Sequence, residues 1–71
     1  MATYNVVDRF IELLEADAKR FDDMATNLEE LMPRLAGEQQ KAWARAEIAR
    51  RRGQASMHRE LAELTKIEHG Q

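Results

Sequence analysis

Two histidines, one carboxylate at an apolar position and a line of cations are the residues of this chain whose types and spacing could do chemistry. His58 and His69 are its only imidazoles. Eleven residues apart on one helix, they would be turned by about 1100°, within about 20° of whole turns, and so share a face some ~16 Å apart along the axis. That is too far for one metal ion. A bundle metal site of the di-iron kind needs Glu-x-x-His pairs and further inward carboxylates, and Ala55 and Lys66 stand where the glutamates would be. Both histidines are therefore expected to be solvated or end-capping, with His69 closing a helix C-terminus. No metal and no cofactor are expected.

Nucleophilic chemistry fares no better. Ser56 and the threonines have no His and acid partner at plausible positions, and no glycine-rich loop exists to hold phosphate. Without cysteine there is neither a thiolate ligand nor a disulfide to staple a small fold. A non-enzymatic role with no small-molecule substrate is the expectation.

Arg45, Arg52, Arg59 and Lys66 recur every seven residues and run through the cluster Arg50-Arg51-Arg52. On a helix they form one line with steps of about 10.5 Å, which could track phosphates, and Trp43 could add a stacking surface. Glu38, Glu47, Glu60 and Glu63 dilute that line. A solvated face with pairs such as Glu47 with Arg51 and Glu15 with Lys19 explains most of the same residues. Nucleic-acid contact through Arg45, Arg52, Arg59 and Lys66 is accordingly the second reading of the chain, behind protein–protein interaction.

The elements that would carry these residues are helices. Ala, Glu, Lys, Leu and Arg make up 38 of 71 residues, a composition that marks long helices and coiled coils. The length allows a single domain, 1–71, which would bury only about 60% of its unfolded surface. Formal net charge is −2, but it is unevenly spread: residues 1–36 carry four cations against eight carboxylates, and residues 37–71 seven against five.

Val7, Leu14, Phe21, Leu28 and Leu35 hold one position of a heptad, and Phe10, Met24 and Leu31 the position three later. This predicts an a/d seam, with Asp17 its one interruption. Asp17 is expected to meet an arginine of the second helix or of a partner, near Gln54, Ala55 or Arg59, and so to help set register. Ile11, Ala18, Ala25 and Met32 fill the neighbouring e column, and Val6 and Leu13 the g column. The apolar face is thus wider than a two-stranded seam requires. Asn5 is the expected N-cap, with Thr3 competing. Pro33 should stop or kink the helix by pushing Met32 from helical angles, and Gly37 should cap or pivot the turn.

A second helix is predicted from Glu38 to His69, closed by Lys66, His69 and Gly70. Its inward face is expected to hold Trp43, Ala46, Ala49, Gly53, Met57, Leu61, Leu64 and Ile67. A hairpin pivoting near Ala36 places residue i opposite about 72 − i, so Phe21 should fill the gap beside Gly53, Leu28 should face Trp43, and Val7 should face Leu64. The basic stretch 41–59 then lies across from the acidic stretch 13–31.

The fold class is therefore all-α: an antiparallel two-helix hairpin, about 5–32 and 38–69, that pairs with a second copy into a four-helix bundle. Val7, Phe10, Ile11, Leu14, Phe21, Met24, Leu28, Leu31, Met57, Leu61 and Leu64 are the expected protein-interface residues. Met24, Met32 and Met57 sit on the seam as gap fillers, or as adaptable contacts. The expected role is an adaptor, regulatory subunit or chaperone-like partner. In size and helical layout the chain is similar to small plasmid RNA-binding hairpin dimers and to small hairpin chaperones of secretion systems. That likeness rests on no matching motif, so no residues are carried over. Neither a signal peptide nor a membrane span is predicted, which makes the cytoplasm the expected location.

Overall fold

The computed structural model describes residues 5–69, in which α1 (Val6–Leu31) and α2 (Glu38–Glu68) pack against each other as a hairpin. Both expected helices are present, and no strand occurs among the described residues. Thr3 and Gly70, named above as capping candidates, lie outside the described residues.

Asn5 starts α1 by leaving the helix itself: its backbone is extended, and its side-chain oxygen accepts from the N–H groups of Val7 (2.9 Å) and Asp8 (3.2 Å). Two of the four donors that a helix start leaves without partners are thereby satisfied. Pro33 acts differently from expectation. Met32 keeps helical angles (φ −51, ψ −43), and its N–H still reaches the Leu28 carbonyl. The chain instead tightens into a 3-10 turn over Met32–Arg34, and the break to extended backbone comes at Leu35 (φ −78, ψ 134). A tighter turn accommodates the ring because proline lacks only a donor that a helix end can spare. Gly37 is the N-cap of α2 at φ −114, an extended angle open to any residue.

Where the two helices meet, they do so through small side chains. Ala18, Ala25, Ala44 and Ala55 are fully excluded from solvent and Ala62 is 1% exposed. Ile11 and Leu14 are the larger buried residues, with Val7 packed against Ile11, Leu14 and Ala62. On α1 the seam is Val7, Leu14, Phe21 and Leu28 together with Ile11, Ala18 and Ala25, continued by Met32 at the start of the turn. On α2 it is Ala44, Arg51, His58 and Thr65 together with Lys41, Ile48, Ala55 and Ala62, all buried or half-buried. These steps of three and four are the coiled-coil period. Alanine at the contact lets two backbones approach closely, which large residues would prevent.

The axial register lies beyond the expected 72 − i: Asp22 with Arg52 puts residue i opposite about 74 − i, whereas Arg52 with Glu29, Arg59 with Asp22 and Lys66 with Glu15 put it opposite about 81 − i. The rotation of both helices differs. Phe10, Met24 and Leu31, expected on the hairpin seam, are 43–48% exposed, because the alanine column one residue further on has taken their place. On α2, Trp43, Met57, Leu61, Leu64 and Ile67 are exposed, as are Ala46, Ala49 and Gly53. A Cβ built on Gly53 meets nothing within 4 Å. Phe21 therefore does not fill a gap at Gly53; its ring lies 5.2 Å from that of His58, tilted by 59°.

Candidate interaction face

Taking one step from the seam on each helix defines the two flanks of the hairpin. The residues that follow the larger seam column of α1 are Asp8, Glu15, Asp22 and Glu29; those at the matching place on α2 are Arg45, Arg52, Arg59 and Lys66. Cross-helix ion pairs show that these two columns share a flank. Arg52 reaches both Asp22 (3.6 Å) and Glu29, Arg59 reaches Asp22, and Lys66 reaches Glu15 (3.4 Å). Glu63 and Glu15, as hydrogen-bond acceptors and as charges, hold the Lys66 ammonium above the ordinary lysine range.

Three of the four cations of the basic line are thus engaged with carboxylates. Among the described residues only Arg45 of that line makes no such pair. Phosphate would have to displace Asp22, Glu15 and Glu29 from Arg52, Arg59 and Lys66, and the flank carries acid and base in nearly equal measure. Glu15, expected to pair with Lys19, pairs across the hairpin instead, and Lys19 turns to Asp23 at 3.0 Å. Glu47 does reach Arg51, at 3.6 Å, and reaches Arg50 at 2.8 Å.

The opposite flank is made of the columns on the other side of the seam. On α1 these are Phe10, Asp17, Met24 and Leu31, with Leu13, Arg20 and Asn27 beyond them. On α2 they are Glu47, Gln54 and Leu61, with Trp43, Arg50, Met57 and Leu64 beyond. Every large apolar residue here is at least 43% exposed, and Trp43 is 57% exposed. By their places along the helices they fall into two groups: Phe10 and Leu13 with Leu61 and Leu64 toward the open end of the hairpin, and Met24 and Leu31 with Trp43 toward the turn, with Met57 between them.

A polar waist separates the groups. Asp17 pairs there with Arg20 on its own helix at 3.7 Å, and Arg51 donates to Gln54 at 3.3 Å. The expected partners of Asp17 on α2 are not its partners, since Arg59 lies on the other flank with Asp22. Asp17 interrupts this outer face, not the hairpin's own seam.

Of the expected interface residues, Ile11 and Leu14 are spent inside the hairpin, and Val7, Phe21 and Leu28 are half-buried along its seam. Phe10, Met24, Leu31, Met57, Leu61 and Leu64 are on the outer face. Leu13 and Trp43 belong there too and were not expected; the signal that finds them is their place one column beyond Phe10 and Leu61. His58, expected to be solvated or end-capping, is a seam residue whose Nδ1 donates to the Gln54 carbonyl at 2.9 Å. His69 is the last cap position of α2, where its backbone N–H bonds the Thr65 and Ile67 carbonyls. Thr65, the one buried polar residue among those described, donates its hydroxyl to the Leu61 carbonyl at 2.7 Å.

No group of three or more His, Asp or Glu side chains among the described residues is placed to hold a metal ion. No described helix is long and apolar enough to cross a membrane. Compared with known proteins, the chain matches no family model, no curated protein and no solved structure.

Proposed function

We propose that this chain is a non-catalytic helical interaction module that pairs with a second copy to form a four-helix bundle, and that it acts by offering this assembly to other proteins as an adaptor, regulatory subunit or chaperone-like partner. The observation that carries this reading is the outer flank: exposed large apolar side chains of both helices, Phe10, Leu13, Met24, Leu31, Trp43, Met57, Leu61 and Leu64, stand on one side of the hairpin, interrupted by a polar waist, while its other side is closed by cross-helix ion pairs. Apolar surface of that extent marks interaction sites on soluble domains.

Surface area supports it. The hairpin exposes 5489 Å², whereas a compact chain of 8.2 kDa exposes about 4500 Å². The excess of about 1000 Å² is on the scale of the ~800 Å² that each partner buries in a standard interface. Burial supports it as well, since no large side chain is fully buried within the hairpin. An interior of alanines with Ile11 and Leu14 contributes little apolar burial, and a second copy would supply the rest.

A dilution series tests the reading. If folding and pairing are linked, the thermal midpoint falls as the chain is diluted, and Leu61→Lys lowers it further at every concentration. A monomer with the same midpoint across the series would overturn it.

A further inference from the structure

One residue of the outer face works against covering it. Phe10, Asp17, Met24 and Leu31 form the column of α1 that borders the seam on that side, and a carboxylate stands where the period of the column asks for an apolar side chain. Asp17 lies midway along α1. A second copy that covers Phe10 and Leu13 together with Met24 and Leu31 therefore covers Asp17 too, whichever way that copy lies.

Glu47, on the same flank, is provided for. It holds Arg50 at 2.8 Å and Arg51 at 3.6 Å, and its side chain is already reduced to 18% exposure within the hairpin. Covering it strips away little further water. Asp17 has Arg20 at 3.7 Å, a distance at which the charges attract but no hydrogen bond forms. The two side chains are 45% and 74% exposed, so water supplies the rest of their solvation. A carboxylate that loses this water needs donors in exchange. The side chains above and below it in the column, Phe10 and Met24, have none to give.

A single polar residue at a seam position of a helical assembly lowers its stability. Resting on the reading of the outer face as a self-association surface, we infer that Asp17 holds that association weak, so that paired hairpins separate and exchange instead of locking together. With leucine at position 17 the column would be apolar from Phe10 to Leu31.

Asp23 supplies a matched control. It is an aspartate of the same helix, with one ion pair inside that helix, to Lys19 at 3.0 Å, and a 61% exposed side chain. Two residues past Phe21 of the seam, it points away from α2. Asp17→Leu and Asp23→Leu thus make the same change in helix propensity, and each removes one such pair.

Sedimentation equilibrium of the full chain should give Asp17→Leu a dissociation constant at least about tenfold below that of Asp23→Leu. In the dilute limit, where the chains are single, thermal melts followed by circular dichroism should not separate the two variants. Equal constants for both, with the wild type paired, would overturn the role of Asp17 and leave the pairing intact. Weaker association of Asp17→Leu would overturn it too, by showing that a cation of the second copy pairs with this carboxylate. So would a gain that persists undiminished in the dilute limit, which would place the leucine inside the hairpin's own packing. A mass of 8.2 kDa for the wild type and both variants at every concentration would overturn the pairing itself, and this role with it.

Discussion

Phe21 rests against His58 with ring centroids 5.2 Å apart, on a seam whose fully buried residues are alanines, and this contact shows how α2 is turned. With His58 facing inward, Gly53 and Ala46 face out and Trp43, Met57 and Leu64 stand on the flank. A rotation of α2 that put Gly53 under Phe21 would carry His58 out of the seam and the basic line away from Asp22.

Gly53 is therefore a glycine with no packing reason to be one. Its Cβ position is empty to 4 Å and it sits inside a 31-residue helix, where glycine costs about 1 kcal/mol relative to alanine. Gly53→Ala should stabilise the protein by about that amount, and Gly53→Leu should do nearly as well. Chemical denaturation of both variants checks this; a leucine variant much less stable than wild type would place position 53 at a packed contact.

The alanines of the seam should behave in the opposite sense. Ala18 and Ala55 have no exposed surface, so Ala18→Leu or Ala55→Leu must force the helices apart, at a cost of about 1–3 kcal/mol. Ala49→Leu, on the exposed side of α2, should change stability by less than about 0.5 kcal/mol. Equal effects at Ala55 and Ala49 would mean that α2 presents another face to α1.

How far the sequence discloses this fold follows from the same residues. The helix ends and the antiparallel pairing are legible in Asn5, Pro33 and the opposed charges of α1 and α2, because caps, breakers and heptads act locally. The rotation is not. Counting large apolar residues favours Phe10, Met24, Leu31 and Trp43 as the seam, whereas the backbones close upon Ala18, Ala25, Ala44 and Ala55, whose small volume permits close approach. The outer face was visible only as a surplus of apolar columns on α1. Asp17 was legible as an oddity, but its surroundings depended on the rotation.

Lys66 gives the ion-paired flank a pH signature. Its raised pKa, caused by Glu63 and Glu15, means that the folded state holds the proton more tightly than the unfolded chain does. The stability that this supplies is fully present below the ordinary lysine pKa of 10.5 and is lost as pH rises through the higher folded value. The stability difference between wild type and Lys66→Met should thus stay constant from about pH 7 to about pH 9.5 and shrink above about pH 10.5. A difference unchanged to about pH 12 would show that Lys66 makes no such pairs in solution.

Trp43 offers the most direct view of the outer face, since it is the sole tryptophan and is 57% exposed in the isolated hairpin. Its fluorescence, followed across a concentration series with a soluble quencher present, reports whether a second copy covers it. Pairing through the outer face gives a blue-shifted, quencher-protected emission at high concentration that moves to the red and becomes quenchable on dilution. An emission that is red and fully quenchable at every concentration would contradict it.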